Sequence, residues 1–395
     1  MKKPVILGGT PAFSNPVFIS RPMIPDKDEL FSELEKILSS RWLTNNGKYL
    51  QDFERELTKF LEVDYCSVFC NGTIALQLAI QALRIAGEAI TTPFTFPATI
   101  HSLYWNNTKP VFCDIDPLTY NIDVTKIESL ITPNTTAIVP VHVFGNPCDV
   151  EKLDQIAKNY GISVIYDAAH AFGVKYNGKA IGKYGNASMF SFHATKSFNT
   201  LEGGAVTSSD ASFNHRISYY KNFGIMDEEH VIGPGINGKM NEFQAAFGLL
   251  NLKKIKNENE KRKRLTKVYE DSLRNIEGLG FQLFDSAVER NYQYFTIRID
   301  HTKFGISRDE LHVALRQENI VTRKYFYPLC SNYSCYHALP SASRDNLPEA
   351  NRLAESILSV PLYGDLNDDD VMKITECIKS CQHHSKDIKG KVKQV

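Results

Sequence analysis

The chain of 395 residues carries 45 Lys and Arg against 45 Asp and Glu, and 43% of its residues are hydrophobic. This length and apolar content exclude a short peptide and a disordered chain, and they favour two domains with separate cores. The balanced charge removes the bulk attraction that nucleic acid or an anionic membrane requires, so we expect neither as a partner.

The cysteine pattern and the short apolar runs indicate a cytoplasmic protein. Eight cysteines lack dense regular spacing and no apolar leader follows Met1, which favours reduced thiols. No Cys and His cluster has zinc-site spacing, so we expect no metal. No apolar run approaches the roughly 18 residues of a membrane helix, since Pro93 and Pro97 break the stretch 90–100.

Strands and helices alternate through the first half of the chain. Helices are predicted at 26–39 and 47–61, on either side of the polar, turn-rich loop 42–47. The predicted strands that follow are 65–70, 89–92, 110–113, 136–141, 162–166, 187–192 and 205–207. This rhythm predicts an α/β layered domain with a mostly parallel sheet. The stretch 72–87 is apolar nearly all round, which predicts a buried helix.

A long helix leads into a second domain. Met240, Phe243, Phe247 and Leu250 recur at spacings of three and four, and the pattern turns strongly charged at 256–264. Beyond it we expect a strand near 292–299 and helices at 307–317 and from Asn367, hence a smaller α+β unit. The predicted division is a large domain over 1–255, a small domain over 256–382 and a flexible basic tail over 383–395.

The first chemical signal lies where the first predicted strand meets the buried helix. Gly72 and Thr73 would offer free backbone N–H groups, the positive end of the helix dipole and a hydroxyl. Such a helix start suits the phosphate of a ligand. The same two residues also form an ordinary helix cap, and this feature alone leaves both interpretations open.

Two further signals follow later strands. Asp167 directly follows the apolar run 162–166, and His170 comes three residues later. This position is the carboxyl end of a predicted strand, where ligands of open α/β sheets bind. A capping Asp with a packed His is the alternative. Lys196 follows Ser191 and precedes the pair Gly203-Gly204, although a lone Lys is usually a surface charge.

These parts together match the needs of pyridoxal phosphate, which are an anion site, a carboxylate on the pyridine nitrogen and an amine for a Schiff base. Asp167 would keep the ring nitrogen protonated. Lys196 would need a pKa lowered by desolvation to attack a carbonyl. Phe96 lies just after the second strand, where it would either stack on the ring or pack in the core.

From the 42–47 loop to the segment 325–329 the chain resembles the DegT/DnrJ family of nucleotide-sugar aminotransferases. The resemblance implies a pyridoxal-phosphate-dependent transferase of the aspartate-aminotransferase type, fold type I. It implies that Lys196 forms the Schiff base, that Asp167 pairs with the pyridine nitrogen and that His170 contacts the ring. It further implies cofactor contacts from Gly72, Thr73, Phe96 and Ser191, and substrate contacts from Thr44, Arg323 and Tyr325. Solvation alone is the alternative for Arg323.

The resemblance also implies a homodimer with shared active sites. Asn237 lies in a segment whose Asn reaches the phosphate of the neighbouring subunit in this family. From the residues alone a turn role is the preferred interpretation of Asn237. The family commonly has Tyr and Arg where Gly238 and Lys239 stand, which puts the shape of the sugar pocket in doubt.

The function implied is transamination in two half-reactions. Glutamate gives its amino group to the cofactor, forming pyridoxamine phosphate, and a dTDP-4-keto-6-deoxyhexose then takes it. A 3-keto sugar or a UDP-4-keto sugar is the nearest alternative. Pyridoxamine-dependent dehydratases of this fold carry His in place of Lys196, and a non-enzymatic cofactor-binding regulator would need no such Lys. No Gly-x-Gly-x-x-Gly follows the first strand, which disfavours a dinucleotide-binding module.

Overall fold

A computed structural model describes residues 2–392. Its strands in chain order are β1 (Tyr65–Phe69), β2 (Glu88–Thr91), β3 (Lys109–Phe112), β4 (Thr135–Val139), β5 (Ser163–Asp167), β6 (Lys175–Tyr176), β7 (Lys179–Ala180), β8 (Ala187–Ser191), β9 (Gly204–Ser208), β10 (Leu279–Gly280), β11 (Val288–Glu289), β12 (Phe295–Ile299) and β13 (Ile357–Val360). A seven-stranded sheet has the order β1-β9-β8-β5-β4-β2-β3. β9 runs antiparallel to both neighbours, and the other pairings in this sheet are parallel. The predicted mostly parallel α/β sheet is therefore confirmed.

The helices complete the layers around this sheet. They are α1 (Lys27–Ser40), α2 (Lys48–Phe60), α3 (Gly72–Ala82), α4 (Pro97–Trp105), α5 (Val124–Ile127), α6 (Val150–Tyr160), α7 (Ala211–Tyr220), α8 (Glu242–Leu273), α9 (His301–Phe304), α10 (Arg308–Gln317), α11 (Pro348–Ser356), α12 (Asp368–His383) and α13 (Ser385–Ile388). Most of α3 is buried, as its all-round apolar sequence predicts. It ends at Ala82, five residues before the predicted end.

Helix α8 joins two hydrophobic cores. Its N-cap Asn241 and Gln244 form a capping box. Ile255 packs in the core around the central sheet, whereas Leu265 and Leu273 pack in a second core with β12, β13 and α12. The second core is built on the antiparallel sheet β10-β12-β13. We propose on this basis that the boundary between the large and small domains lies within α8.

Both ends of the described chain pack on the second core. The Glu318 carboxylate accepts hydrogen bonds from the Val5 and Ala12 backbone N–H groups at 2.7 and 2.9 Å. Val17 and Ile320 form a parallel bridge. Ile388 is fully buried in the same core, which differs from the fully solvated tail expected over 383–395. Residues 393–395 of that tail lie outside the described residues.

The described helices contain no segment long and apolar enough to cross a membrane. Helix α8 is long enough to span a membrane, but it is not apolar enough because its second half is densely charged.

Candidate active site

A cleft of about 560 Å³ lies beyond the carboxyl ends of β1, β5 and β8. Parallel strands bring the residues that follow them to one edge of the sheet, so distant parts of the sequence meet there. The predicted site residues that line this cleft are Gly72, Thr73, Phe96, Asp167, His170, Ser191, Lys196, Arg323 and Tyr325. Asn237 and Thr44 are exposed and are not among its lining residues.

The start of α3 forms an anion cradle at one end of the cleft. The Asn71 side chain caps the helix by accepting the Ile74 N–H at 2.8 Å, and helix geometry leaves the N–H groups of Gly72 and Thr73 without intrahelical partners. A Cβ on Gly72 would lie 3.1 Å from the Ser191 Cβ, so a side chain there would fill the cradle. A Cβ on Gly204 would come within 2.7 Å of the Gly72 backbone, which explains why glycine begins β9.

Asp167 forms the floor of the cleft and is 4% exposed. Its Oδ2 accepts a hydrogen bond from the Thr99 hydroxyl at 2.7 Å, and its Oδ1 accepts one from the Ala169 N–H at 3.0 Å. Burial raises the pKa of the Asp167 carboxyl above its ordinary value, and these two donors and the Lys196 charge oppose that rise. Asp167 is therefore a buried carboxylate fixed in orientation.

Lys196 shares the cleft with Asp167. The loop that carries it is anchored on both sides by Phe192 and Phe198, which are fully buried and pack edge to face at 5.0 Å between ring centroids. Gln293 also holds this loop, since its Oε1 accepts the Ser197 N–H at 2.9 Å. Desolvation lowers the pKa of the Lys196 amine to about 8, although attraction to Asp167 works in the opposite direction. A substantial fraction of this amine is therefore neutral near physiological pH.

His170 is a neutral, packed side chain at the same edge. Its Nδ1 accepts the Phe144 N–H at 3.2 Å, which places the ring proton on Nε2. Burial, and secondarily the Lys196 charge, hold the pKa of His170 well below its ordinary value. The ring lies parallel to Phe326 at 5.9 Å between centroids and meets Tyr294 edge to face at 5.1 Å.

The mouth of the cleft is exposed and aromatic. Phe96 is 58% exposed, so it is not a core residue, and the core-packing interpretation of Phe96 is wrong. The guanidinium of Arg323 lies 5.7 Å from the ring centroid of Tyr325. Both residues also line an adjoining cleft that contains Arg316 and Lys324, which makes this side of the mouth basic. Arg316 and Arg323 are available to an anionic ligand, whereas the Lys324 amine is paired with the Asp309 carboxylate.

The segment around Asn237 packs behind the phosphate cradle, but Asn237 itself does not line the cleft of its own chain. Asn237 forms a bridge with Asn222, and the neighbouring Gly238 carbonyl accepts the Cys70 N–H at 2.9 Å. A Cβ on Gly238 would lie 2.9 Å from a methyl group of Ile74. The backbone at this position therefore leaves no room for the Tyr that is common in the family.

Residues that the sequence analysis does not predict include Thr99, which donates to Asp167, and Gln293, which holds the Lys196 loop. They also include Tyr294 and Phe326, which line the cleft. Thr99 lies within α4 and does not follow a strand, and it is 68 residues from Asp167 along the chain. The other three follow α8 in the sequence, and Tyr294 and Phe326 pack with Phe94 and Phe144 beside the cleft.

The residues fit pyridoxal phosphate by the chemistry of their donors. The open cradle would take the phosphate, Asp167 would hold the pyridine nitrogen and Lys196 would supply the amine. Among residues 2–392, no group of three or more His, Cys, Asp or Glu side chains is arranged to hold a metal ion.

Comparison with known proteins places this arrangement in a family. The chain matches the DegT/DnrJ/EryC1/StrS aminotransferase family over residues 25–379. It is 48% identical over 363 residues to a dTDP-4-amino-4,6-dideoxy-D-glucose transaminase of Escherichia coli, covering 91% of this chain and 97% of that protein. It is 42% identical over 364 residues to a transaminase of the same name from Shigella dysenteriae, covering 92% and 98%.

Solved structures agree with this assignment. The crystal structure of DesI in the presence of its TDP-sugar product matches with a TM-score of 0.92 at 36% identity, covering 97% of each chain. The expected fold of the sugar aminotransferases is therefore confirmed. This chain belongs to the DegT/DnrJ/EryC1/StrS aminotransferase family.

Proposed function

We propose that the protein is a pyridoxal-phosphate-dependent aminotransferase of a nucleotide-linked ketosugar. The reaction is amination of a dTDP-4-keto-6-deoxyhexose to a dTDP-4-amino-4,6-dideoxyhexose, with L-glutamate as amino donor. One observation carries this proposal: an anion cradle, a buried carboxylate and an amine with a pKa of about 8 line a single cleft.

Each residue has a defined part in the proposed reaction. Bound pyridoxal phosphate supplies an aldehyde for covalent attachment and a ring that withdraws electrons from the substrate Cα. Asp167 holds a proton on the ring nitrogen, because a buried carboxylate is stabilised by an opposite charge. The Lys196 amine removes the proton from the Cα of glutamate and returns a proton to the former keto carbon of the sugar. A pKa of about 8 suits both directions of transfer.

The identity of the sugar rests on the relatives. Two curated relatives with 48% and 42% identity over more than nine-tenths of this chain are named dTDP-4-amino-4,6-dideoxy-D-glucose transaminases. The structure of DesI was determined with a TDP-sugar product. The basic, aromatic side of the cleft mouth supports this choice, since a diphosphate and a pyrimidine base need cations and flat surfaces.

The test begins with the half-reaction. Purified protein loaded with pyridoxal phosphate is mixed with glutamate, and the absorbance of the cofactor is followed as the aldehyde form converts to pyridoxamine phosphate. We expect conversion in the wild type and no turnover for Lys196→Ala, with Lys158→Ala as an exposed control lysine. Retained turnover in Lys196→Ala would exclude its role. Titration of the pyridoxamine form with 3-keto and 4-keto sugars linked to dTDP or UDP then identifies the acceptor.

We also propose a homodimer in which Asn237 reaches the partner's cofactor phosphate. Phe223, Val231, Ile232 and Ile236 are exposed apolar side chains around Asn237, which favours an interface there. Mixing Lys196→Ala and Asn237→Ala chains under exchange tests this arrangement. If sites are shared, one site of each mixed dimer has both native residues and activity returns. Two inactive chains that stay inactive as confirmed mixed dimers would contradict it.

The cellular setting is part of the same proposal. We place the enzyme in the cytoplasm, which is supported by the eight cysteines being unpaired in the fold. Its product is an amino sugar activated for glycosyl transfer, so we assign it to the synthesis of cell-surface glycan such as the O-antigen of lipopolysaccharide. Deletion of the gene should remove the amino sugar from that glycan, and an unchanged glycan composition would contradict the assignment.

A further inference from the structure

Two buried threonine hydroxyls form a chain that ends on Asp167. The Oγ1 atoms of Thr95 and Thr99 lie 2.7 Å apart, and Thr99 Oγ1 lies 2.7 Å from Asp167 Oδ2. Thr95 is 1% exposed and Thr99 is fully buried. The proposed reaction requires a carboxylate, an amine and a phosphate site, and none of these requirements explains why the two threonines are present.

The direction of the two hydrogen bonds follows from proton counting. A threonine hydroxyl carries one proton and accepts through its lone pairs, whereas an ionised carboxylate only accepts. The Thr99 proton is therefore committed to Asp167, and Thr95 must donate to Thr99. A donor that itself accepts a hydrogen bond is polarised and binds an anion more strongly.

Asp167 has few other sources of stabilisation as an anion. The Ala169 N–H occupies Oδ1, the Lys196 amine faces the carboxylate from the loop after β8, and His170 is neutral. A buried carboxylate without sufficient donors takes up a proton. A protonated Asp167 would no longer hold a proton on the cofactor ring.

We propose that Thr99, supported by Thr95, is the positioning residue that keeps Asp167 ionised and aimed at the pyridine nitrogen, an inference that rests on the proposed function. The alternative is a purely structural tie between α4 and β5. The two differ in a measurable way, because a structural tie affects folding but not the protonation of the cofactor.

The experiment compares Thr99→Val, which keeps the shape and removes the hydroxyl, with Thr91→Val as a matched control. Thr91 is also fully buried, but its hydroxyl donates to the Val139 carbonyl at 2.7 Å and not to Asp167. Affinity of the apo protein for pyridoxal phosphate is measured by absorbance titration. The nitrogen NMR signal of ¹⁵N-labelled pyridoxal phosphate reports ring protonation.

We expect Thr99→Val to weaken cofactor binding about tenfold or more, as for loss of a hydrogen bond to a charged group. The ring-nitrogen signal should move towards the unprotonated position, and Thr99→Ser should restore both properties. Thr91→Val should match the wild type. A wild-type signal and affinity in Thr99→Val, or the same shift in Thr91→Val, would overturn the proposal.

Thr95→Val tests the outer member and remains informative if Thr99→Val does not fold. It should shift the ring-nitrogen signal less than Thr99→Val, and the double variant should be no worse than Thr99→Val. An unshifted signal in Thr95→Val, or additive effects in the double variant, would contradict the chain of hydroxyls. Failure of the wild type to bind pyridoxal phosphate would instead refute the proposed function, since that measurement involves no threonine variant.

Discussion

The floor and the mouth of the cleft differ in how firmly their side chains are held. On the floor, Asp167, Thr99 and His170 are buried and hydrogen-bonded. At the mouth, Phe96 and Arg323 are exposed. Fixed groups can stabilise charge that develops at a defined atom, whereas exposed groups adapt to the shape of a ligand. We infer that the floor sets the reaction and the mouth sets the choice of substrate.

The largest expected effect comes from the floor. Asp167→Asn keeps the shape but removes the charge that holds a proton on the ring nitrogen, so turnover should fall about a hundredfold to a thousandfold. The glutamate half-reaction measured by stopped-flow absorbance checks this. Comparable loss in both half-reactions is expected, and a defect confined to the sugar half-reaction would place Asp167 with the mouth residues.

The second effect concerns the stability of the cofactor-free protein. The pKa of Lys196 is lowered from 10.5 to about 8, so below pH 8 the folded protein bears the cost of a poorly solvated charge. Lys196→Met should therefore raise the free energy of unfolding by about 3 kcal/mol well below pH 8. Since the unfolded chain also loses its proton at high pH, the gain should disappear as the pH approaches 10.5.

Urea unfolding of the apo proteins at pH 7 and pH 10 measures this difference. Lys158→Met is the control, because the Lys158 side chain is 74% exposed. If Lys196→Met raises the free energy of unfolding equally at both pH values, the increase comes from apolar packing and not from removal of the charge.

A smaller effect is expected in the phosphate cradle. Gly72→Ala places a methyl group 3.1 Å from the Ser191 Cβ, where it narrows the space for a phosphate. Affinity for pyridoxal phosphate should fall about tenfold, or about 1.4 kcal/mol. The added methyl group also lies 3.3 Å from Met189 Sδ and from Ser191 Cα, so the apo protein should lose some thermal stability but remain folded at the temperature of the titration. A loss of apo stability that accounts for the weaker binding would contradict this interpretation.

The smallest effect is expected at the mouth. Arg323→Gln removes an exposed cation, so KM for the nucleotide sugar should rise about tenfold or less while the glutamate half-reaction is unchanged. Steady-state kinetics with each substrate varied in turn separates these outcomes. An equal loss in the glutamate half-reaction would remove the distinction between floor and mouth.

Local sequence patterns predict the strands and the residues that follow them, but not the contacts between distant elements. The seven strands predicted between residues 65 and 207 lie within two residues of the observed ones, because apolar runs and turn residues are local signals. The strand predicted near 292–299 begins at Phe295, and β13 is not predicted. Asp167 and Lys196 are predicted because an anion site, a carboxylate at a strand end and a Lys after a later strand occur together, as pyridoxal phosphate requires, and because the family resemblance gives them these roles. Their meeting in one cleft follows from the parallel sheet.

Contacts between distant elements could not be predicted in this way. Thr99 contacts Asp167 across 68 residues, and Gln293 contacts the Lys196 loop across nearly 100 residues. Such pairs depend on how α4 and the segments after α8 pack against the central sheet, which single-sequence periodicity does not encode. The same holds for Ile388, whose burial interrupts a tail that composition alone marks as solvated.

The packing of the first residues against Glu318 and Ile320 has a mechanical consequence. The backbone passes between the core around the central sheet and the second core after Val17 and along α8. It returns to the central sheet where β11 pairs with β6, and again where residues 326–354 pack with Phe94 and Phe112. A movement of one core away from the other would require a sharp bend in α8. Proline is the common cause of such bends, and α8 contains none. We therefore expect the cleft to keep a nearly constant width, with ligands entering through its mouth past Phe96.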